Sequence, residues 1–400
     1  MFDSLRNNSK IVVYIVVAAF IVTGGLMGFG SYLSNNNSSV AGNSSSPYIA
    51  EVNDTGVTPQ QYMNVLRNQA PQTQLSRSQV IPFRLNVLNS MIERQLILGQ
   101  AEKMEIEAQV SDEEVDKVID DILKNNEMTE EELKNLLVEQ NSSLKQFKQD
   151  LRGNLETSDI IQKTVETSYD KVEVTEEEIE EAYEESNKDK ELVEVREELK
   201  EQILTDKQNK AFKNWLENIK AESDITINDP TLNAYYQLQG KNYDEAITLI
   251  NEIIETNPGP MMYTYLAQAY QGKENQEKVI ETYQKALEAY PDDWELYYNF
   301  ASYYQSKEEK EKALAKYDTA SVKAGDDLMA HYRLYMAYTA MQAEDRAKKE
   351  METLTELQKK LQEQQKQLEE EQAQKQEIQE AEDTEQAKDK STENGDSNED

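Results

Sequence analysis

The sequence lacks cysteine and contains one histidine, His331, and two tryptophans among its 400 residues. Without cysteine the chain can form no disulfide, no thiolate nucleophile and no cysteine-ligated metal site. A single histidine excludes multi-histidine metal centres and most histidine-based acid–base schemes. The classes of function that remain are mainly binding, scaffolding and chaperoning.

Positive charge is scarce relative to negative charge. The chain has 42 Lys and Arg residues against 78 Asp and Glu residues, a formal net charge of −36 at pH 7. Nucleic-acid binding needs clustered Lys and Arg, so we expect no nucleic-acid partner. The sequence also contains no GxxxxGK[ST], GxSxG or HExxH motif and no GxGxxG after a strand. We therefore expect no catalytic residue, no cofactor and no bound metal.

Long apolar runs are confined to one stretch near the N-terminus. Residues 11–29 read IVVYIVVAAFIVTGGLMGF without a charge, and nineteen helical residues span roughly 29 Å, close to a bilayer core. We therefore predict a single transmembrane anchor at residues 11–30, through which the chain contacts the lipid bilayer. Arg6 and Lys10 precede this run and the next basic residue is Arg67. The positive-inside rule then places residues 1–10 in the cytoplasm and the bulk of the chain outside the plasma or inner membrane.

Cleavage as a signal peptide is the alternative for this segment. The apolar run is longer than a usual signal-peptide core, and the small-residue site Ser39-Val40-Ala41 lies well beyond it. We therefore favour an uncleaved anchor. Residues 31–46 are rich in Ser and Asn, which predicts a flexible linker.

Residues 47–228 carry a series of helix-start motifs. Each pairs a hydroxyl residue with Glu three positions later, a capping box in which both side chains satisfy free backbone N–H groups. Apolar residues at three- and four-residue spacing follow, for example Leu136, Leu137, Phe147 and Leu151, and predict helices with one buried face. Short strand candidates open and close the region at residues 49–52 and 225–227. The three capping boxes are Ser111…Glu114, Thr129…Glu132 and Thr175…Glu178.

The order of these motifs resembles the N-terminal chaperone domain of SurA-, PpiD- and PrsA-type foldases. The similar segments are IAEVNDTGVTPQQY, VLNSMIERQLILGQAEKMEI, VSDEEVDKVIDDI, FKQDLRGNL and VTEEEIEEAYEES, and the resemblance covers residues 48–227. It implies an extracytoplasmic domain that holds polypeptides, and PpiD-type members have one N-terminal anchor, as predicted here. It also implies that residues 49–52 lie beside residues 225–227.

One departure from the family concerns catalysis. In such foldases a parvulin prolyl-isomerase domain normally follows the EEIEEAYEES helix. Here residues 187–190 lead almost at once into LVEVREELKEQILTDKQNKAFKNWLENIKAESDITI, which resembles the closing helix and strand of the family. The resemblance therefore implies polypeptide holding without isomerase activity, and we expect that the protein is not an enzyme.

A different helical pattern repeats between residues 230 and 361. Alignment on DEAITLI, EKVIETY, EKALAKY and DRAKKEM places Ala246, Val279, Ala313 and Ala347 at spacings of 33, 34 and 34 residues. This pattern is typical of tetratricopeptide repeats, which are helix–turn–helix units of about 34 residues that stack into an α-solenoid. We predict four repeats over residues 230–361.

The first helices of such units form a concave face that usually carries the function. The positions predicted to face it are Met261, Thr264, Gln268, Glu295, Tyr298, Ser302, Tyr332 and Met336. Domains that grip a C-terminal carboxylate use Lys, Arg and Asn there, and these positions hold none. Tyr and Met favour an adaptable, partly apolar polypeptide-binding surface. His331 falls at a packing position, which predicts a structural role.

The sequence thus predicts a predominantly all-α chain. A transmembrane helix precedes a SurA-like chaperone domain with a minor two-strand element, a tetratricopeptide solenoid, and a charged helix with a disordered acidic tail at residues 362–400. The favoured function is a membrane-anchored, extracytoplasmic chaperone that holds unfolded or newly translocated polypeptides without ATP. One alternative is a scaffold whose repeats recruit the secretion machinery or another envelope protein. A prolyl isomerase, by family likeness alone, is a second alternative.

Overall fold

The computed structural model describes residues 46–70, 75–139, 141–185 and 191–367. The predicted cytoplasmic residues 1–10, the anchor at 11–30, the linker up to residue 45 and the tail from residue 368 lie outside the described residues. Within the described part, no helix is both long and apolar enough to cross a membrane. This part is predominantly helical with one small sheet, as predicted.

The chain divides into two compact units, Met1–Leu249 and Ile250–Asp400. The elements of the first unit, up to a helix in which the division falls, are β1 (Ala50–Val52), β2 (Thr55–Val57), α1 (Pro59–Gln69), α2 (Arg77–Lys103), α3 (Asp112–Asn125), α4 (Glu130–Glu139), α5 (Leu144–Thr167), α6 (Glu176–Glu185), α7 (Leu192–Ala221), β3 (Ile225–Ile227), α8 (Pro230–Gln239) and α9 (Tyr243–Thr256).

The second unit continues with helices joined by short turns. They are α10 (Pro260–Gly272), α11 (Gln276–Ala289), α12 (Trp294–Ser306), α13 (Lys310–Lys323), α14 (Leu328–Ala340) and α15, which comprises the described helical residues 344–367.

The sheet joins the two ends of the SurA-like region. β1 pairs antiparallel with β3, so that Ala50 lies opposite Ile227 and Val52 lies opposite Ile225. The prediction that the opening and closing strands pair is therefore confirmed. Beside the ladder, the amide of Asn228 donates to the Glu51 carboxylate over 2.7 Å.

The sheet has three strands, so the predicted two-strand element is incomplete. The third strand is β2, which contains Thr55 and Gly56 and pairs antiparallel with β1 across a tight turn. The turn is limited to Asn53-Asp54, and Asn53 has a φ of 51°, in the left-handed region that Asn tolerates. At residue 56 a Cβ would lie 2.3 Å from the Tyr48 ring, so glycine is needed there.

One hydrophobic core lies between the sheet, α1, α2, α7 and α8. The Tyr62 side chain is fully buried in it and its hydroxyl donates to the backbone oxygen of Arg84 over 3.0 Å. Leu232 of α8 belongs to the same core. The first helix of the predicted repeat array therefore packs with the SurA-like region, while the domain limits at 228 and 230 stay a prediction.

A second core lies between α3, α4 and α5. Val115, Ile119, Phe147 and Leu151 are buried in it, as their spacing predicts. The pattern on α4 is different from the one predicted, because this helix buries Leu133 and Leu137 while Leu136 is 41% exposed. Residues four apart share a face of a helix and adjacent residues do not, which explains the correction.

The predicted capping boxes are all formed. In the box before α4, the Thr129 N–H donates to the Glu132 carboxylate over 2.7 Å, and the Glu132 N–H donates to the Thr129 hydroxyl over 3.3 Å. The boxes of Ser111 with Glu114 and of Thr175 with Glu178 have the same reciprocal bonds. These bonds explain why the helices begin where the sequence predicts.

The second unit is built around small and aromatic residues. Three of the four aligned residues, Val279, Ala313 and Ala347, lie on second helices of this unit and are 0%, 0% and 8% exposed, while the fourth, Ala246, belongs to the first unit and is 0% exposed. Small side chains let neighbouring helices approach closely, and stacked rings fill the remaining space. Ring centroids of Phe300 lie 4.8 Å from Tyr283 and 4.6 Å from Tyr304. Helices follow one another through this region and α10 packs with α11 and α12 with α13, while the four repeats and their assignment to the tetratricopeptide family stay a prediction.

The single histidine lies in the core of the second unit. His331 Nδ1 is 2.6 Å from a Glu350 carboxylate oxygen, and Nε2 is 2.8 Å from the backbone oxygen of Gly325. Gly325 has a φ of 58°, a conformation that favours glycine. The ring therefore links the turn before α14 to α15, which agrees with a structural role.

Replacing Thr129 with Ala removes the side-chain cap of α4. We expect the free energy of unfolding of the full chain to fall by about 1 kcal/mol, measured by urea denaturation with circular dichroism. Thr205→Ala is the matched control, because this hydroxyl bonds to a carbonyl of its own helix, that of Glu201, and caps nothing. Equal losses in both variants would contradict the role of the cap.

The capping boxes also predict a pH dependence. The backbone N–H and hydroxyl of Thr129 donate to the Glu132 carboxylate and hold its pKa below the ordinary value of 4.5. A carboxyl whose pKa is lower in the folded state stabilises the fold above its unfolded pKa, and this stability is lost as the pH falls through the folded pKa.

We therefore expect Glu132→Gln to weaken the loss of stability between about pH 5 and pH 3, followed by urea titrations at each pH. Glu131→Gln, one position earlier and outside the capping box, is the control. The prediction is wrong if both variants keep the pH profile of the unmodified chain.

The buried pair formed by His331 and Glu350 gives a third prediction. His331→Phe leaves the buried Glu350 carboxylate with the Ser321 hydroxyl but without its ring partner, and we expect it to cost about 3 kcal/mol of unfolding free energy. The double variant His331→Phe, Glu350→Leu should recover much of that loss, because no isolated charge remains. Thermal unfolding measures both. A double variant no more stable than the single one would show that packing of the ring, rather than the carboxylate, sets the cost.

Candidate functional site

Seven of the eight predicted positions, all except Glu295, are the candidate polypeptide-binding residues, and they lie on α10, α12 and α14. We call the surface formed by these residues together with Glu295, Asn299 and Arg333 the first-helix face. Exposure differs along it: Gln268, Tyr332 and Met336 are exposed, while Met261, Tyr298 and Ser302 are half-buried. Thr264 is 2% exposed, so its side chain supports the face from beneath.

A polar contact joins α10 to α12. The side-chain amide of Asn299 donates to the Thr264 hydroxyl over 3.4 Å, and that hydroxyl in turn donates to the backbone oxygen of Pro260 over 3.4 Å. Asn299 was absent from the predicted site. Its position four residues after Glu295 and three before Ser302 places it on the same side of the helix, which is the pattern that would have found it.

A cation joins α12 to α14. Arg333 Nη1 donates to Glu295 Oε1 over 2.8 Å. The guanidinium carbon lies 4.2 Å from the ring centroid of Tyr298 and 5.3 Å from that of Trp294. Arg333 also was absent from the predicted site, although it lies four residues after Met329 and three before Met336, on one helical face. The predicted positions hold no Lys, Arg or Asn, but Asn299 and Arg333 contact residues at those positions.

The ion pair is asymmetric in its exposure. The Glu295 side chain is 4% exposed and the Arg333 side chain is 24% exposed. The carboxylate is thus removed from solvent and compensated by its partner, while the Arg333 side chain stays partly exposed. A guanidinium carries five N–H groups, and the bond from Nη1 to Glu295 engages one of them.

Ser302 contacts the hydroxyl of a tyrosine on α13. It lies 3.0 Å from the Tyr317 hydroxyl, which donates to the Gln305 side chain over 2.7 Å. Burial raises the pKa of Tyr317 to about 12, so this hydroxyl stays protonated at physiological pH. Tyr298 packs edge-on against the same ring with centroids 5.2 Å apart.

An apolar stripe runs along α14 beside Arg333. Met329, Tyr332 and Met336 are 56%, 50% and 50% exposed. Their spacing of three and four residues places them on one face of the helix. Large apolar side chains at this exposure are available for contact with another molecule.

The three first helices carry very little charge. Their acidic and basic side chains are Glu295, His331 and Arg333, and each of these is paired. The neighbouring α11 has five charged residues in fourteen. The first-helix face is therefore nearly neutral in a chain whose net charge is −36.

Metal binding and the acidic side chains of α6 are further candidate sources of function. Among the described residues, no group of three or more His, Asp or Glu side chains is placed to hold a metal ion. The acidic α6 uses part of its charge in ion pairs, since Glu176 contacts Arg196 and Glu178 lies 2.6 Å from Lys207. These pairs hold α6 against α7.

Comparison with known proteins supports the interpretation of the N-terminal half. A family model described as the SurA-like N-terminal domain matches residues 1–161. The N-terminal part of the chain is therefore similar to this domain, as the resemblance of its motifs indicated. No curated protein matches the chain.

Proposed function

We propose that the chain is a membrane-anchored, extracytoplasmic chaperone that holds unfolded or newly translocated polypeptides without ATP or a cofactor. The observation that carries the proposal is the match of residues 1–161 to the SurA-like N-terminal domain. The pairing of β1 with β3 supports it, because these strands close the helical region in the way that the family resemblance implies.

The proposal includes no isomerase activity. In related foldases a catalytic domain is inserted after the helix that corresponds to α6. Here α6 ends at Glu185 and α7 begins at Leu192, so six residues separate them. Six residues can connect two helices but cannot form a domain.

The first-helix face is the proposed contact surface for polypeptides. Tyr332 and Met336 offer exposed apolar area, and Met adapts its shape to different partners because its side chain is unbranched and flexible. Contacts of this kind are shallow and reversible, which suits a chaperone that releases its client without ATP. The tetratricopeptide assignment of the surrounding helices is part of the same proposal.

The acidic residues of the N-terminal helices are consistent with a chaperone function. Residues 105–185 contain 26 acidic and 8 basic side chains, a net charge of −18. Such a surface helps keep a complex with an unfolded client soluble. The proposed anchor at residues 11–30 and the linker at 31–46 would hold the chaperone near emerging chains and raise its effective concentration there.

A scaffold function is the second candidate. It is favoured by the fixed contacts on the first-helix face, where Arg333 is held by Glu295 and two aromatic rings. A preorganised face of this kind also suits one dedicated envelope partner, such as a component of the secretion machinery. In-cell crosslinking separates the two, because many heterogeneous clients support a chaperone and one dominant partner supports a scaffold.

An aggregation assay tests the chaperone proposal. The full chain in lipid nanodiscs should suppress light scattering of a client diluted from urea at about equimolar ratio, and the double variant Tyr332→Ala, Met336→Ala should suppress it less, because apolar area is lost. Val322→Ala is the matched control, since Val322 is 78% exposed on the second helix α13.

Two outcomes would contradict the proposal. Scattering equal to that with empty nanodiscs would exclude the holding function. Catalysis of peptide isomerisation above background would show that the chain is an enzyme despite the short connection between α6 and α7.

A further inference from the structure

We propose that Arg333 is the specificity-determining residue of the first-helix face, and that this face selects uncharged apolar polypeptide segments and disfavours acidic ones. The inference rests on the proposed function, because it names the class of segment that the chaperone holds. It depends on the pairing of Arg333 with Glu295, which the sequence alone did not suggest.

The first step concerns net charge at the guanidinium. Glu295 lies 2.8 Å from Arg333 and is almost fully buried, so it compensates the positive charge at short range and from beneath. A ligand carboxylate approaching Arg333 would meet an ion pair rather than an isolated cation. It would also meet like-charge repulsion from Glu295, which is poorly screened by solvent because it is buried.

The second step concerns the donors that remain. The rings of Trp294 and Tyr298 lie 5.3 and 4.2 Å from the guanidinium carbon and, with Glu295, restrain the group, so the N–H groups that Glu295 does not engage are limited in direction. Backbone carbonyl oxygens are neutral acceptors with the geometry to accept such bonds. Every polypeptide segment supplies them, so Arg333 would bind the backbone without requiring a particular side chain.

The third step concerns the other side chains of the first-helix face. Gln268, Asn299 and Ser302 are polar but uncharged, while Tyr332 and Met336 supply apolar contact. The one carboxylate on the face, Glu295, is already paired. A Lys or Arg of the ligand would therefore lose water without gaining a partner, which is unfavourable. Charge complementarity thus favours a neutral, apolar occupant.

The experiment compares three capped, fluorescein-labelled peptides with the same core of Leu, Phe and Ala. The flanking residues are Ser in the first, Glu in the second and Lys in the third. Binding to the full chain in lipid nanodiscs is followed by fluorescence anisotropy, with empty nanodiscs subtracted. We expect the Ser-flanked peptide to bind about tenfold more tightly than the Glu-flanked one and more tightly than the Lys-flanked one.

Glu295→Gln gives the decisive comparison. It leaves Arg333 uncompensated, so the Glu-flanked peptide should gain about tenfold in affinity and overtake the Ser-flanked peptide. Arg333→Gln should instead weaken the Ser-flanked peptide several-fold without strengthening the Glu-flanked one. The ratio of two affinities on one sample does not depend on the folded fraction, so partial unfolding of a variant cannot imitate a reversal.

Arg346→Gln is the matched control. Arg346 forms an ion pair with Asp318 over 2.7 Å, both members are 45% exposed, and the pair joins the second helices α13 and α15. This variant should leave the order of the three peptides unchanged.

Equal binding of the three peptides, or a Glu295→Gln chain with the unmodified order, would overturn the role of Arg333 while leaving the chaperone proposal intact. Tightest binding of the Lys-flanked peptide would overturn the inference in favour of basic segments. Failure of every peptide to bind, together with failure in the aggregation assay, would overturn the proposed function itself and this inference with it.

Discussion

The pairing of β1 with β3 is the contact on which the first unit depends. It joins Val52 to Ile225, and closing so long a segment of chain carries a large loss of conformational entropy. Two three-residue strands cannot offset that loss alone. The offset comes from the core beneath them, where Ile49, Val52 and Ile227 pack with α2 and α7. The intervening helices are thereby held as one module instead of a series of separate hairpins.

Local interactions were readily predicted from the sequence. A capping box is complete within four residues, so Thr129 and Glu132 identify the start of α4 without reference to the rest of the chain. The spacing of small residues similarly located the second helices, because each unit repeats the same packing requirement. The pairing of β1 with β3 is nonlocal and was predicted only because a family resemblance supplied it.

The features that could not be predicted depend on neighbours distant in sequence. β2 is a strand because β1 lies beside it, although Gly56 has low strand propensity. In the sequence, Arg333 is one charged residue in an otherwise apolar helix. Its partner Glu295 is on a different helix, 38 residues away. Helical periodicity indicates which residues share a face, but the contact between two faces depends on how the helices pack.

The distribution of charge connects these observations. Acidic residues are abundant where helices start and on the helices of residues 105–185, where solvent and the N-terminal helix dipoles stabilise them. At the first-helix face the same chain is nearly neutral, and its one carboxylate is buried against a guanidinium. Charges on an exposed surface are screened within about 8 Å at physiological ionic strength, so the net charge of −36 does not decide what a particular face binds. What decides it is the local pairing of charge, and on this face that pairing leaves hydrogen-bond donors, aromatic rings and methionine as the groups available to a ligand.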